Sequence, residues 1–210
     1  PPADAQVKEI MEVVGQRHIE LDGRLQRMRK RQPVSLDFSS IAKGFAVDRV
    51  ADWLLGQGVD RFLVEVGGEL RLSGLSQRGD LWRIAIENPD SAMQGIAGAI
   101  ALTDQAVATS GDYRNFFEVE GRRYSHSLDP RSGYPVAHEL VSVTVVHPSA
   151  MLADAWATAL TVLGPDRALS VAQTGDLAVY FIQREGEGFS SRYTPAFERF
   201  LHAGQGAQLQ

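Results

Sequence analysis

An α+β fold with mainly antiparallel sheets packed against helices is what this sequence predicts, on two observations. Short alternating or apolar runs outnumber helix-patterned ones, and several are joined by tight turn signals, Gly67-Gly68 and Glu120-Gly121 above all. The helix-patterned stretches fall between such hairpins instead of alternating with single strands, which disfavours a doubly wound parallel sheet.

The elements follow in order. Ala5 to Val14 has helical spacing, with Val7, Ile10, Met11 and Val14 on one side, and Gly15 ends it. His18 to Leu21 reads as a short strand before the turn Asp22-Gly23. Arg24, Arg27, Arg29, Lys30 and Arg31 follow as a basic run without interleaved aromatic residues, read as a solvated surface loop. Val34 to Ser39 is extended, and a helix is expected from Lys43 to Leu55, stopped by Gly56 and Gly58. Phe62 to Val66 reads as a largely buried strand returning through Gly67-Gly68 as Glu69 to Ser73.

Strands are next expected at Trp82 to Glu87, Ile96 to Leu102 and Val107 to Ser110. Phe116 to Glu118 and Arg123 to Leu128 form a further hairpin, and Arg131 to Pro135 a rigid turn. Val141 to Val146 is a strong strand, and Ser149 caps the best helix, Ala150 to Leu163, closed by Gly164-Pro165. A helix at Asp166 to Gln173 and strands at Leu177 to Gln183 and Ser190 to Tyr193 complete one domain over 1–203, with 204–210 a flexible tail.

The 210 residues are 44% hydrophobic and 22% charged, the values of an ordinary folded chain. A formal net charge of −5 excludes a general attraction to nucleic acid or anionic lipid, so a charged ligand must be held by local charge. The absence of cysteine excludes disulfides and thiolate chemistry, leaving oxygen or imidazole for any metal. The start Pro1-Pro2-Ala3-Asp4, with neither an initiator methionine nor a signal peptide, reads as a chain whose N-terminal part has been removed.

Three places carry chemistry. At Asp37-Phe-Ser-Ser-Ile-Ala-Lys-Gly44 an extended segment turns into a helix, so backbone N–H groups, the helix dipole and Lys43 suit phosphate oxygens. The same residues also suit a plain helix cap by Ser39 or Ser40 beside a solvated lysine. Asp154 and Thr158, four apart among small alanines, stack on one helix face and offer hard oxygens to Mg²⁺, or are a surface aspartate and a threonine bonded back to a carbonyl. His126 is the best acid or base, or else a histidine in a hairpin hydrogen bond. Ser125, His126 and Asp129 are rejected as a hydrolase triad because no nucleophile-elbow pattern accompanies them. Gly67-Gly68 and Thr109-Ser110-Gly111 offer bare backbone to a ligand, or are only turns.

Five blocks occur in the order seen in the ApbE family of FAD:protein FMN transferases: Asp37 to Asp48, Val66-Gly-Gly-Glu69, Ala108 to Tyr113, Tyr124 to Pro135 and Ala150 to Leu160. The resemblance runs from about Pro2 to Leu201 and implies a tunnelling-type architecture. It implies that Asp37, Lys43 and Leu128 contact FAD. Mg²⁺ would be held by the Ser40 backbone carbonyl with the Asp154 and Thr158 side chains, and His126 would accept the proton of the incoming hydroxyl. The activity implied is attachment of FMN to a Ser or Thr of an acceptor flavoprotein subunit of a membrane redox complex, with release of AMP. FAD hydrolysis to FMN and AMP, or flavin binding without turnover, are the alternatives. The resemblance also implies a location in the periplasm or on the outer face of the cytoplasmic membrane, with membrane contact only through an N-terminal lipid anchor.

Overall fold

The structure, a computed structural model, describes residues 2–89, 96–111, 116–119 and 122–201. In chain order its elements are α1 (Asp4–Met11), β1 (Ile19–Asp22), β2 (Arg27–Lys30), α2 (Ser39–Gly56), β3 (Phe62–Val66), β4 (Glu69–Ser73), β5 (Trp82–Glu87), β6 (Ile96–Leu102), β7 (Ala106–Gly111), β8 (Phe116–Val119), β9 (Arg122–Ser125), β10 (Leu140–His147), α3 (Ala150–Leu163), α4 (Pro165–Thr174), β11 (Ala178–Glu185), β12 (Gly188–Tyr193) and α5 (Pro195–Glu198). A six-stranded sheet in the order β12-β11-β10-β7-β4-β3 forms the body, with two-stranded ribbons β1-β2, β5-β6 and β8-β9 beside it. Every pairing among the described residues is antiparallel, as the hairpin signals predict. The expected tail, 204–210, lies outside the described residues.

Strand β11 shows how the sheet is covered. Tyr180 and Ile182 point into a core with Ile100 of β6 and Phe197 of α5, while Val179 and Phe181 point into a second core with Ala153, Ala157 and Leu160 of α3 and Ala172 of α4. A sheet buried on both faces needs apolar residues at successive positions, which is why β10 and the start of β11 read as almost continuous Val, Phe and Ile.

Several expectations are corrected. The basic run is exposed, as expected, but only partly a loop: Arg24 is in the turn, while Arg27, Arg29 and Lys30 form β2, where Arg27 and Arg29 stand opposite Asp22 and Glu20 of β1 and Glu20 is paired with Arg31. Helix α2 begins at Ser39, four residues before the expected Lys43; its N-cap position is Phe38, neither Ser39 nor Ser40 caps it, and Asp37 just before it accepts the Ser39 N–H at 2.7 Å. β3 is mostly exposed because it is the sheet's edge. β9 ends at Ser125, and the residues to Leu128 continue as a bend and an isolated bridge to Pro135. The short α5 has no periodic signal long enough to read.

The join between α2 and α3 positions the cleft described below. A Cβ on Gly44 would stand 2.2 Å from the Ala150 carbonyl oxygen, so any side chain there would force the two helices apart. Val47 and Ala51 continue the buried face of α2, and Ala150 and Ala153 the matching face of α3. Asp48 fastens the contact: its carboxylate accepts from the Ser149 hydroxyl at 2.7 Å and from the Ala150 and Met151 amides at 2.9 and 3.0 Å, and Arg71 lies 3.0 Å away. Ser149 meanwhile accepts the Leu152 N–H, so α3 is capped twice, once from its own chain and once from α2.

Burial raises the Asp48 carboxyl, but the two amides, the Ser149 hydroxyl and the Arg71 charge outweigh it and hold the group below its ordinary 3.8. Asp48→Asn is therefore expected to destabilise the fold by about 2 kcal/mol at pH 7. The wild-type carboxylate's contribution is complete above its unfolded value of 3.8 and is lost as pH falls through the lower folded value, so urea unfolding should show the two proteins converging on acidification.

Candidate active site

A cleft of about 900 Å³ opens where the start of α2, the middle of α3, the sheet and the β5-β6 ribbon meet. Ser40 and Lys43 reach it from α2, Asp154 and Thr158 from α3, and His126 and Leu128 from the bend after β9. Three separate parts of the chain thus converge, with Thr109 and Ser110 of β7 lining the cleft as well. Asp37 stands beside this group and outside its lining, exposed, with the Ser39 hydroxyl and then its amide lowering the carboxyl.

The α2–α3 join delivers the acid. Asp154 is 3% exposed, in the second turn of α3, and its Oδ2 accepts the Gly44 N–H at 3.0 Å. In a regular helix the Gly44 N–H faces the carbonyl of residue 40, and here that amide donates to Asp154, so Asp154 meets α2 within a turn of Ser40, which lines the same cleft. Thr158, one turn beyond Asp154, shares a hydrogen bond of 3.2 Å with Ser110. Burial raises the Asp154 carboxyl; the Gly44 amide and the Lys43 charge only partly offset it. A carboxylate, a hydroxyl and a carbonyl with negative charge left under-compensated are a donor set for a hard cation such as Mg²⁺. The plain reading of Asp154 as a surface residue is therefore overturned.

Lys43 is fixed by Glu69, a residue to which the sequence pattern assigns a place in a strand but no role in the site. Its ammonium lies 2.6 Å from Oε1 of Glu69, which is 1% exposed at the first position of β4. Burial raises the Glu69 carboxyl, the Lys43 hydrogen bond and charge oppose this, and nearby Asp154 adds to the rise. The sequence signal was an acid directly after Gly67-Gly68, whose φ values of 61° and 100° make the tight turn that only the paired sheet reveals as burying Glu69.

His126 is exposed at the cleft, one residue past β9. Its segment is folded back by Asp129 N–H to Tyr134 carbonyl and Val136 N–H to Ser127 carbonyl bonds of 2.8 and 3.0 Å. Asp129 is engaged by Arg131, whose Nε and Nη2 donate at 2.8 and 2.7 Å and hold the carboxyl low, which agrees with rejecting the triad. Among the other histidines, His138 is bound to the Thr161 carbonyl and His147 to Ser149. The expected block through Tyr113 continues, after Gly111, outside the described residues.

The model of the ApbE family matches residues 1–181. This chain belongs to the ApbE family. It is 42% identical over 201 residues to a Vibrio cholerae protein named FAD:protein FMN transferase, a match covering 95% of this chain and 60% of that relative. An Escherichia coli protein of the same name is 37% identical, with 95% and 58% covered. The apo crystal structure of the Pseudomonas stutzeri flavinyl transferase ApbE superposes with a TM-score of 0.86 at 44% identity, over 97% of this chain and 63% of that one. The α+β, mainly antiparallel architecture is thus that of solved ApbE structures, and this ApbE-family chain spans about three fifths of the length of the relatives that it matches.

The Asp154 environment makes a prediction without any ligand. Asparagine would keep an acceptor for the Gly44 N–H and bring no charge to desolvate. In metal-free buffer at pH 7, Asp154→Asn should unfold at a midpoint equal to or above the wild type, the gain being on the order of 1 kcal/mol. Asp154 should make wild-type stability fall as pH rises from 3.8 through the raised folded value, because the folded state there holds the proton more tightly, and the variant should fall less, keeping only the part due to Glu69. A lower midpoint for the variant across this range would contradict the under-compensated charge.

Proposed function

We propose that this chain carries out FMN transfer from FAD to a hydroxyl of an acceptor protein. The observation that carries the reading is the convergence of Ser40, Lys43, Asp154, Thr158 and His126 on one cleft. Cations beside a pyrophosphate and a base beside a weak nucleophile are what such a transfer requires. The acceptor Ser or Thr oxygen bonds to the phosphorus of the FMN half, the pyrophosphate bridge breaks, AMP leaves, and the hydroxyl proton passes to His126.

Asp154, Thr158 and the Ser40 carbonyl would hold Mg²⁺, which when bound spreads the negative charge of the phosphoryl oxygens. Lys43 supplies a fixed positive charge on the cleft wall, and Leu128, 57% exposed, offers an apolar surface to the flavin ring. Asp37 contacts FAD from beside the cleft on this reading. The acceptor is a flavoprotein subunit of a membrane redox complex, met in the periplasm or on the outer face of the cytoplasmic membrane.

The test is to mix the protein with FAD, Mg²⁺ and a candidate acceptor domain and follow the acceptor's mass. A gain of one FMN is expected, abolished by EDTA and slowed about 10²- to 10⁴-fold in His126→Ala, the span of a lost general base. Free FMN and AMP without acceptor modification would instead identify a pyrophosphatase, and tight FAD without turnover a flavin-binding protein.

A further inference from the structure

Glu69 and Lys43 form an arrangement that stability alone does not account for. The carboxylate is 1% exposed, yet its partner's side chain is 47% exposed, so one charge has lost its water while the other keeps much of its own. Oε2 of Glu69 is buried and has no hydrogen-bond partner among the described residues. A well-packed apolar pair would hold β4 to α2 at least as well as a half-satisfied ion pair. The lysine stem also passes close over Gly67. A Cβ there would come within 3.1 Å of Lys43 Cδ, so the bare glycine leaves the stem its path, and the Gly67 carbonyl lies 3.5 Å from the ammonium. The head of a long, rotamer-rich side chain is therefore held between the Gly67-Gly68 turn and the residue that follows it.

We propose that Glu69 is a positioning residue. Its buried carboxylate clamps the Lys43 ammonium against the β3-β4 turn, so that this positive charge is delivered to the cleft in one place for the phosphate oxygens of the flavin substrate. The proposal rests on the flavin-transfer reading for its ligand, while the clamp itself is a property of the protein alone. A fixed charge stabilises developing negative charge better than one that must be reoriented for each turnover. Truncating the clamp thus acts through Lys43, although Glu69 itself makes no contact with the reacting atoms.

Two measurements on the intact protein test this. The first labels amines with a trace of acetic anhydride and compares Lys43 with the exposed Lys8 by peptide mass spectrometry. Lys43 should be protected at least about fivefold in the wild type, and Glu69→Gln, which keeps the shape, should bring the ratio close to that of Lys8. The second compares FMN-transfer rates in a cycle of Glu69→Gln, Lys43→Met and the double variant. Glu69→Gln should slow the wild type by about tenfold or more and the Lys43→Met protein by less than about twofold, because the two act as one unit. Equal slowing in both backgrounds, no slowing at all, or a Lys43 as reactive as Lys8 in the wild type would each overturn the proposal. A wild type that transfers no FMN while the labelling behaves as expected would overturn the transferase reading and leave the clamp standing.

Discussion

The close approach of α2 and α3 is the constraint on which the cleft depends. Gly44 lets the Ala150 carbonyl come within a distance that no side chain would allow, and Asp48 holds the contact shut by satisfying three donors at the α3 N-terminus. Once the helices are fixed there, helical geometry does the rest. Asp154 is one turn up from Ala150, meets the Gly44 amide, and faces the first turn of α2, where Ser40 and Lys43 stand. A change that separated the helices would lengthen the bond between the Gly44 amide and Asp154 that places the acid in the cleft.

The same geometry concentrates unfavourable charge. Asp154 and Glu69 are both nearly excluded from solvent, both have raised carboxyl groups, and share a single nearby lysine. Folded proteins avoid such arrangements unless something else requires them, since each carboxylate loses hydration that one cation does not replace. Asp48, by contrast, is half-buried and fully engaged, and its pKa moves down instead of up. Charge is well compensated at Asp48, where it supports the fold, and under-compensated at Asp154 and Glu69, where the proposed function would bring a cation and a polyanionic ligand.

Hairpins were legible because their signals are local. Gly67-Gly68 with flanking alternation leads directly to β3 and β4, and Ser149 with Gly164-Pro165 brackets α3 to the residue. Errors arose where a distant partner decides the outcome. The cations of β2 look like a loop until Glu20 and Asp22 are placed opposite them. β3 looks buried by composition and is exposed because nothing among the described residues pairs with its outer edge.

By itself the sequence determined the local periods, the turns and which residue types were available: hydroxyls and a lysine at one helix start, an aspartate and a threonine four apart, a histidine beside a turn, and no thiol. Those are properties of neighbours in the chain, and α-helix and hairpin geometry follow from them directly. Only the tertiary structure decided that Asp154 is buried and pressed on Gly44, that Glu69 is the anchor of Lys43, and that Asp48 ties α3 to α2. Each of these joins residues at least 26 positions apart, and what sets their energies is desolvation and partner distance, which exist only once the chain has closed on itself.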